Sequence, residues 1–454
     1  MEEQKTSGGL RNLSVGNPAK LIFTFALPMF IGSLLQQLYN MVDSWVVGNY
    51  VGDAALAAVG IGFPVIFLFT SLFTGMANGA TVVIAQFFGA GKMDRVRDAV
   101  DTVYTTFLVA ALPLTLLALL LVSPLLHLLQ VDPTAYHEAW VYLMIVCAGL
   151  TGTIGYNTNA GILQGLGNSR TSLLFLAIAA IMNIVLDLVL VLQCGMGVAG
   201  VALATIVSQA FSWLFGVFYI NRVYPEIGIH PTRLRFDRAL FRQVMEVGLP
   251  AGLQMSMVSV GSMLVMGKIN TYGKVFTAGF NVGSKLDQLA FLPIQSLSNA
   301  ITAYVGQNIG AQKPHRVHQG IRATVGMALC WCFAMIALLV PLRFVLIGAF
   351  SPNPAVVESG ALYVQCVLPF FPLFGTMFCV NAAMRGAGAS VFPMVDVLLS
   401  LILIRVPAIY LLAHFFGPAY MYYGFGIGWT VGLLLSLGYY ASGRWKRHGS
   451  LALD

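Results

Sequence analysis

Apolar residues run through this chain in windows of about 20, the length a helix needs to cross a bilayer. They fall near 21–46, 55–85, 100–124, 139–163, 171–192 and 199–221, and again near 247–269, 278–304, 323–349, 362–383, 391–413 and 421–442. This pattern predicts an all-α integral membrane protein with 12 transmembrane helices. The second window is long enough to continue as helix beyond the membrane.

Basic residues between the windows set an orientation. Lys5, Arg11 and Lys20 precede span one, and Lys92, Arg95 and Arg97 follow span two. Arg170 follows span four, Arg222, Arg233, Arg235, Arg238 and Arg242 follow span six, and Lys313, Arg316 and Arg322 follow span eight. Arg385 follows span ten, and Arg444, Lys446 and Arg447 follow span twelve. With twelve alternating helices all of these lie on one side, whereas opposite loops such as "QVDPTAYHE" and "SPNPAVVESG" contain neither Lys nor Arg; Lys268 and Lys274 are the exceptions. Lys and Arg accumulate on the cytoplasmic side. The expected setting is the inner (plasma) membrane, crossed many times, with both termini cytoplasmic.

The chain also repeats itself. "QFFGAGKMDRV" at 86–96 matches "QNIGAQKPHRV" at 307–317, and the same offset aligns "QGLGN" at 164–168 with "RGAGA" at 385–389 and Gly52 with Gly273. Leu27-Pro28 and Leu249-Pro250 align after a one-residue shift. The expected organisation is an N-terminal lobe over 1–221, a basic cytoplasmic linker over 222–246 and a C-terminal lobe over 247–454. An even number of spans per repeat gives both lobes the same orientation, related by a pseudo-two-fold axis along the membrane normal. Parallel repeats of this kind are a transporter plan.

Composition supports the class: 58% of the residues are apolar and 9% charged, against about 25% charged in soluble domains. The net charge of +7 follows from the cytoplasmic loops and implies no nucleic-acid partner. Six cysteines fall mostly inside apolar runs and read as small buried hydrophobes. No phosphate-binding loop of the G-x-x-x-x-G-K-[ST] type occurs, and no nucleophile–His–carboxylate set stands out. Neither an enzyme nor a cofactor is expected.

Against this background the polar residues inside spans stand out, because an ionisable group in a membrane helix is costly to keep. In "QQLYNMVDSWVVG", Gln36, Asn40 and Asp43 lie on one face of span one. Span five holds Asn183 and Asp187 at i, i+4, span six Thr205, and span four Asn157 and Asn159. The repeat offset places Ile404 opposite Asn183 and Ala408 opposite Asp187, so the polar set belongs to the first repeat alone. Two carboxylates close together in a poorly hydrated site cannot easily both stay ionised, and a proton or Na⁺ would relieve the repulsion. Asp43 and Asp187, with Asn40, Asn159, Asn183 and Thr205, are the expected cation-coupling set, with Asp43 and Asp187 as ligands if the ion is Na⁺. Gln36 and Tyr39 of span one, Gln254 and Met255 of span seven, and Asn281, Lys285 and Gln288 on one face of span eight are expected along a substrate path. Arg405 in span eleven is placed to neutralise Asp287 or Asp396.

Several stretches resemble the multidrug and toxic compound extrusion (MATE) family, in its prokaryotic DinF-like branch. They are "LPMFIGSLLQQLYNMVDSWVVGNYVGDAALAAVG", the pair "AQFFGAG" and "GQNIGA", "GILQGLGNSR" and "MNIVLDLVLV". The likeness covers about residues 14–442. It implies a cation-coupled efflux carrier with two six-helix lobes, and it carries that branch's cation site onto Asp43, Asn183 and Asp187, with Asn159 and Thr205 as helpers. Another branch uses a Glu in the middle of helix seven and an Asp in helix ten; here Glu246 sits at the mouth of span seven and span ten has no carboxylate. The function expected is exchange of H⁺ or Na⁺ for amphipathic, often cationic small-molecule drugs or toxic organic cations, by a monomer in the lipid bilayer. A flippase for lipid-linked oligosaccharides is the alternative.

Overall fold

The long apolar windows fold as helices because a backbone inside lipid must satisfy its own hydrogen bonds. The structure is a computed structural model and describes residues 10–129, 131–229 and 235–447. Lys5 and Arg233, counted above among the cytoplasmic charges, lie outside the described residues.

In the first half the helices are α1 (Pro18–Val46), α2 (Asp53–Gly89), α3 (Met93–Leu128), α4 (Pro133–Ala148), α5 (Leu150–Gly165), α6 (Ser169–Asp187) and α7 (Gly197–Val223). The second half has α8 (Arg238–Asn270), α9 (Lys274–Gly310), α10 (Pro314–Gly348), α11 (Pro354–Val367), α12 (Phe371–Gly386), α13 (Val391–Val397), α14 (Arg405–Phe415) and α15 (Tyr423–Ser442). Three pairs make single spans: α4 with α5, α11 with α12, and α13 with α14. Among the described residues ten segments are long and apolar enough to cross a membrane, and the α4–α5 pair, bent by 49° at Gly149, makes an eleventh. The twelfth expected span, α9, falls short of the same apolarity because Asn281, Lys285, Asp287 and Gln288 crowd its first half.

Wide π-helical turns adjoin three of these helices: Val47–Val51 after α1, Leu188–Gln193 after α6, and Leu398–Ile404 between α13 and α14. Such turns carry one more residue than an α-helical turn and recur at functional sites. Each of the three lies next to a helix end that carries an ionisable residue, Asp43, Asp187 or Arg405 in turn.

Helix boundaries repeat as the sequence does. Gly52 (φ 120°) and Gly273 (φ 90°) precede α2 and α9, and Gly91 (φ 71°) and Gln312 (φ 57°) turn the chain after those helices. Thr81 Oγ1 donates to Gly161 O at 2.9 Å, and its counterpart Thr302 Oγ1 donates to Ala382 O at 3.0 Å. The same hydroxyl thus ties the same pair of helices together in each half.

By packing, one unit contains Leu27–Gly252, and the other contains Leu13–Ala26 together with the chain from Leu253 onward. The division therefore falls inside α1 and α8; the linker expected over 222–246 takes in the first turns of α8. In the first unit, glycines explain why the early turns of α8 stay with α2. A Cβ on Gly75 would lie 2.4 Å from Gly252 N, and one on Gly79 would lie 2.3 Å from Val244 O. Small residues allow such backbone approach between membrane helices.

In the second unit a strap of N-terminal residues is tied to α9 and α10. Leu13 N–H donates to Gln307 Oε1 at 2.7 Å, Asn308 Nδ2 to Leu13 O at 3.2 Å, Lys313 Nζ to Ser14 O at 3.1 Å and Arg316 to Gly16 O at 2.8 Å. Deeper in the same unit, Asp396 Oδ2 accepts from Asn381 Nδ2 at 2.6 Å and Ser436 Oγ at 2.8 Å. Asp396 is thus held by neutral donors, and no ion pair joins it to Arg405.

Candidate functional site

In the first unit α1, α5, α6 and α7 surround a cavity of about 80 Å³. Gln36 and Tyr39 contribute from α1, Thr153, Tyr156 and Asn157 from α5, Asn183 from α6, and Thr205, Ser208 and Gln209 from α7. Helical periodicity explains the grouping: Thr205, Ser208 and Gln209 are spaced i, i+3, i+4, and Thr153, Tyr156 and Asn157 follow the same spacing.

Asp43 and Asp187 are brought together. Asp187 is 0% exposed and Asp43 9%, and the two carboxyl groups are near enough to act on each other electrostatically. Asn183 Nδ2 donates to Thr205 Oγ1 at 3.4 Å, while Thr205 donates to Val201 O at 3.1 Å. Four buried oxygens, Asp43 Oδ1, both oxygens of Asp187 and Asn183 Oδ1, receive no protein donor. Asp43 and Asp187 are not part of the cavity lining; with the Asn183 carbonyl, which is, they form an electronegative cluster that a proton or a hard monovalent cation would neutralise. Softer metals are poorly served. Among the described residues no group of three or more His, Cys, Asp or Glu could hold a metal ion. A cavity of about 80 Å³ admits a few waters or an ion, and falls short of the roughly 300–1,000 Å³ of drug-sized pockets.

The other expected coupling residues sit differently. Asn159 is fully buried, but its amide is committed elsewhere: its oxygen accepts from Tyr104 Oη, and its nitrogen donates to Trp213 O at 3.0 Å. The helix turns Asn157 and Thr153 toward the cavity instead. Asn40 is exposed although it shares a helical face with the buried Asp43. The spacing of Thr205, Ser208 and Gln209 was visible in the sequence, and a search for polar stripes would have found the last two.

Residues expected along the substrate path divide between the units. Gln36 and Tyr39 line the first unit's cavity. In the second unit Gln254 is buried and accepts from Arg385 at 3.2 Å, and Met255 is half-buried. Asn281, Lys285 and Gln288 form an exposed face of α9, and Gln288 reaches a separate cavity of about 340 Å³.

The family model MatE matches residues 28–189 and 250–411, one match in each half. The "Probable multidrug resistance protein YpnP" of Bacillus subtilis (strain 168) is 29% identical over 431 residues, covering 95% of this chain and 96% of its own. The "FAD transporter" of Shewanella oneidensis is 24% identical over 415 residues, covering 89% of each chain. A solved transporter of the MOP superfamily from Pyrococcus furiosus superposes with a TM-score of 0.91 at 22% identity, covering 99% of both chains. That agreement shows the fold: twelve helices in two lobes.

Proposed function

Because the chain belongs to the MatE family of multidrug transporters, we propose that it is a secondary antiporter that expels amphipathic, often cationic compounds in exchange for H⁺ or Na⁺. The observation that carries this reading is the facing pair Asp43 and Asp187, buried without a protein donor. A transporter that couples two gradients needs a site whose charge changes with ion occupancy, and this pair has that property. Lys and Arg placement supports a cell-membrane carrier with cytoplasmic termini.

In the proposed cycle the pair takes up the ion from outside. Neutralisation removes the repulsion between α1 and α6 and lets them draw together, with adjustment at Pro28 and at the wide turns after Asp43 and Asp187. Asn183 and Thr205 hold the ion's remaining oxygen contacts when it is Na⁺. The new packing lowers affinity for the drug, which leaves; the lobes then change access and the ion exits to the cytoplasm.

The test uses purified protein in liposomes with a fluorescent cationic drug and a H⁺ or a Na⁺ gradient imposed separately. Drug movement under one gradient, abolished in Asp43→Asn and Asp187→Asn, is the expected result and names the ion. Movement that is unchanged in both variants would refute the site, and movement under neither gradient would turn the reading to the lipid flippase.

A further inference from the structure

The second unit's cavity, about 340 Å³, has a different chemistry from the first. Arg405 is 6% exposed and lines it, yet its Nε and one terminal nitrogen are buried with no hydrogen-bond partner. A guanidinium does not give up its proton in proteins, so this charge cannot be relieved by titration. The ring of Phe425 lies 5.2 Å from its guanidinium. Asp287, also on the wall, accepts from Tyr363 Oη at 3.0 Å through Oδ2, while its buried Oδ1 has no donor. No ion pair joins Arg405 to Asp287.

The chamber therefore presents unused donors from a rigid fork and an unused acceptor, between aromatic walls. Phe374 and Trp429 stack there with ring centroids 4.8 Å apart. The wide turn Leu398–Ile404 delivers Arg405 to this position at the start of α14. Arg405 and Asp287 are the charged residues of the lining, so the complement pairs an anionic group facing Arg405 with a hydrogen-bond donor facing Asp287, which a dianionic phosphate does not offer. We propose that this chamber is a binding subsite for aromatic carboxylates that carry an adjacent N–H group. The carboxylate pairs with the Arg405 fork, the N–H donates to Asp287 Oδ1, and the ring packs against Phe374 and Trp429.

This assignment names a substrate class for the proposed carrier, and so rests on that reading for its role but not for its chemistry. The experiment is binding without any gradient, followed by energy transfer from tryptophan to a dansyl group on the purified full-length protein. Three probes share one fluorophore: dansylglycine, with carboxylate and N–H; dansylamide, without the carboxylate; and dansylcadaverine, a cation. Saturable dansylglycine binding, weakened about tenfold or more in Arg405→Gln while dansylamide is unaffected, is expected. Equal dansylglycine affinity in wild type and Arg405→Gln, or no preference for dansylglycine over dansylamide, overturns the proposal.

Should Arg405→Gln fail to fold, the wild type supplies its own arm. N-acetyltryptophan must displace dansylglycine and N-acetyltryptophanamide must not; equal displacement by both overturns the assignment. Because this binding assay imposes no gradient and its variant lies in the second unit, failure of ion coupling and failure of this subsite are read separately.

Discussion

At the scale of single residues, the molecule places its polar groups in two kinds of setting. Asp396 shows the settled kind, with one oxygen held by Asn381 and Ser436. Removing one of these two donors, as in Asn381→Leu, should destabilise by about 1–3 kcal/mol, read as a lower melting temperature in detergent. Asp43 and Asp187 show the other kind, with oxygens left open to an ion. Asn at either position should keep expression and melting temperature near wild type, or raise the latter, because a repelling charge is gone; a fall of several degrees would mean that the pair is structural. Asp43, Asn183 and Asp187 were legible in the sequence because an ionisable group within an apolar run has few bland explanations. Asn159 was misleading for a physical reason: composition shows that an amide is present but not which way a helix turns it, and Tyr104 and Trp213 claim this one. Arg405 was legible as a cation inside a span, but not that it pairs with neither Asp287 nor Asp396, since pairing across helices depends on distances that no spacing rule contains.

Elements in this protein are fitted by glycine as much as by apolar area. Where α2 meets the start of α8, Gly75, Gly79, Gly248 and Gly252 bring backbones so close that a methyl group has no room. Gly79→Val should therefore destabilise by at least about 1–3 kcal/mol, seen as poor yield or a lowered melting temperature, whereas Gly60→Ala, with nothing near its Cβ, should be neutral. The paired hydroxyls provide a finer test: Thr81→Val and Thr302→Val each lose one interhelical bond, at about 1 kcal/mol apiece, and should be additive because each lies in its own unit. Windowed hydropathy found the helices well, since lipid forces long uninterrupted apolar runs. It could not find the wide turns beside Asp43, Asp187 and Arg405, which leave the apolar pattern intact and change only how the backbone hydrogen bonds step.

The whole molecule is a duplication whose halves have diverged in chemistry while keeping their joints. Positive φ recurs at Gly52 and Gly273 and at Gly91 and Gln312, so the fold of the second half follows from that of the first. The chemistry does not follow: the first half's cavity is lined by amides, hydroxyls and tyrosines, and the second's by Arg405, Asp287 and aromatic rings. The sequence indicated this asymmetry by placing Ile404 and Ala408 where the first repeat has Asn183 and Asp187. The strap adds a consequence for how the polypeptide can be rewired. Gly16 is held by Arg316 of α10, while His318, two residues on, bonds Tyr440, whose carbonyl accepts from Trp445 Nε1 at 3.1 Å. The strap and the last helix thus both bond to the first turns of α10. A circular permutant that joins the strap to the end of the last helix by a short flexible linker, with new termini opened in the basic loop between α7 and α8, should fold and bind ligand as the parent does.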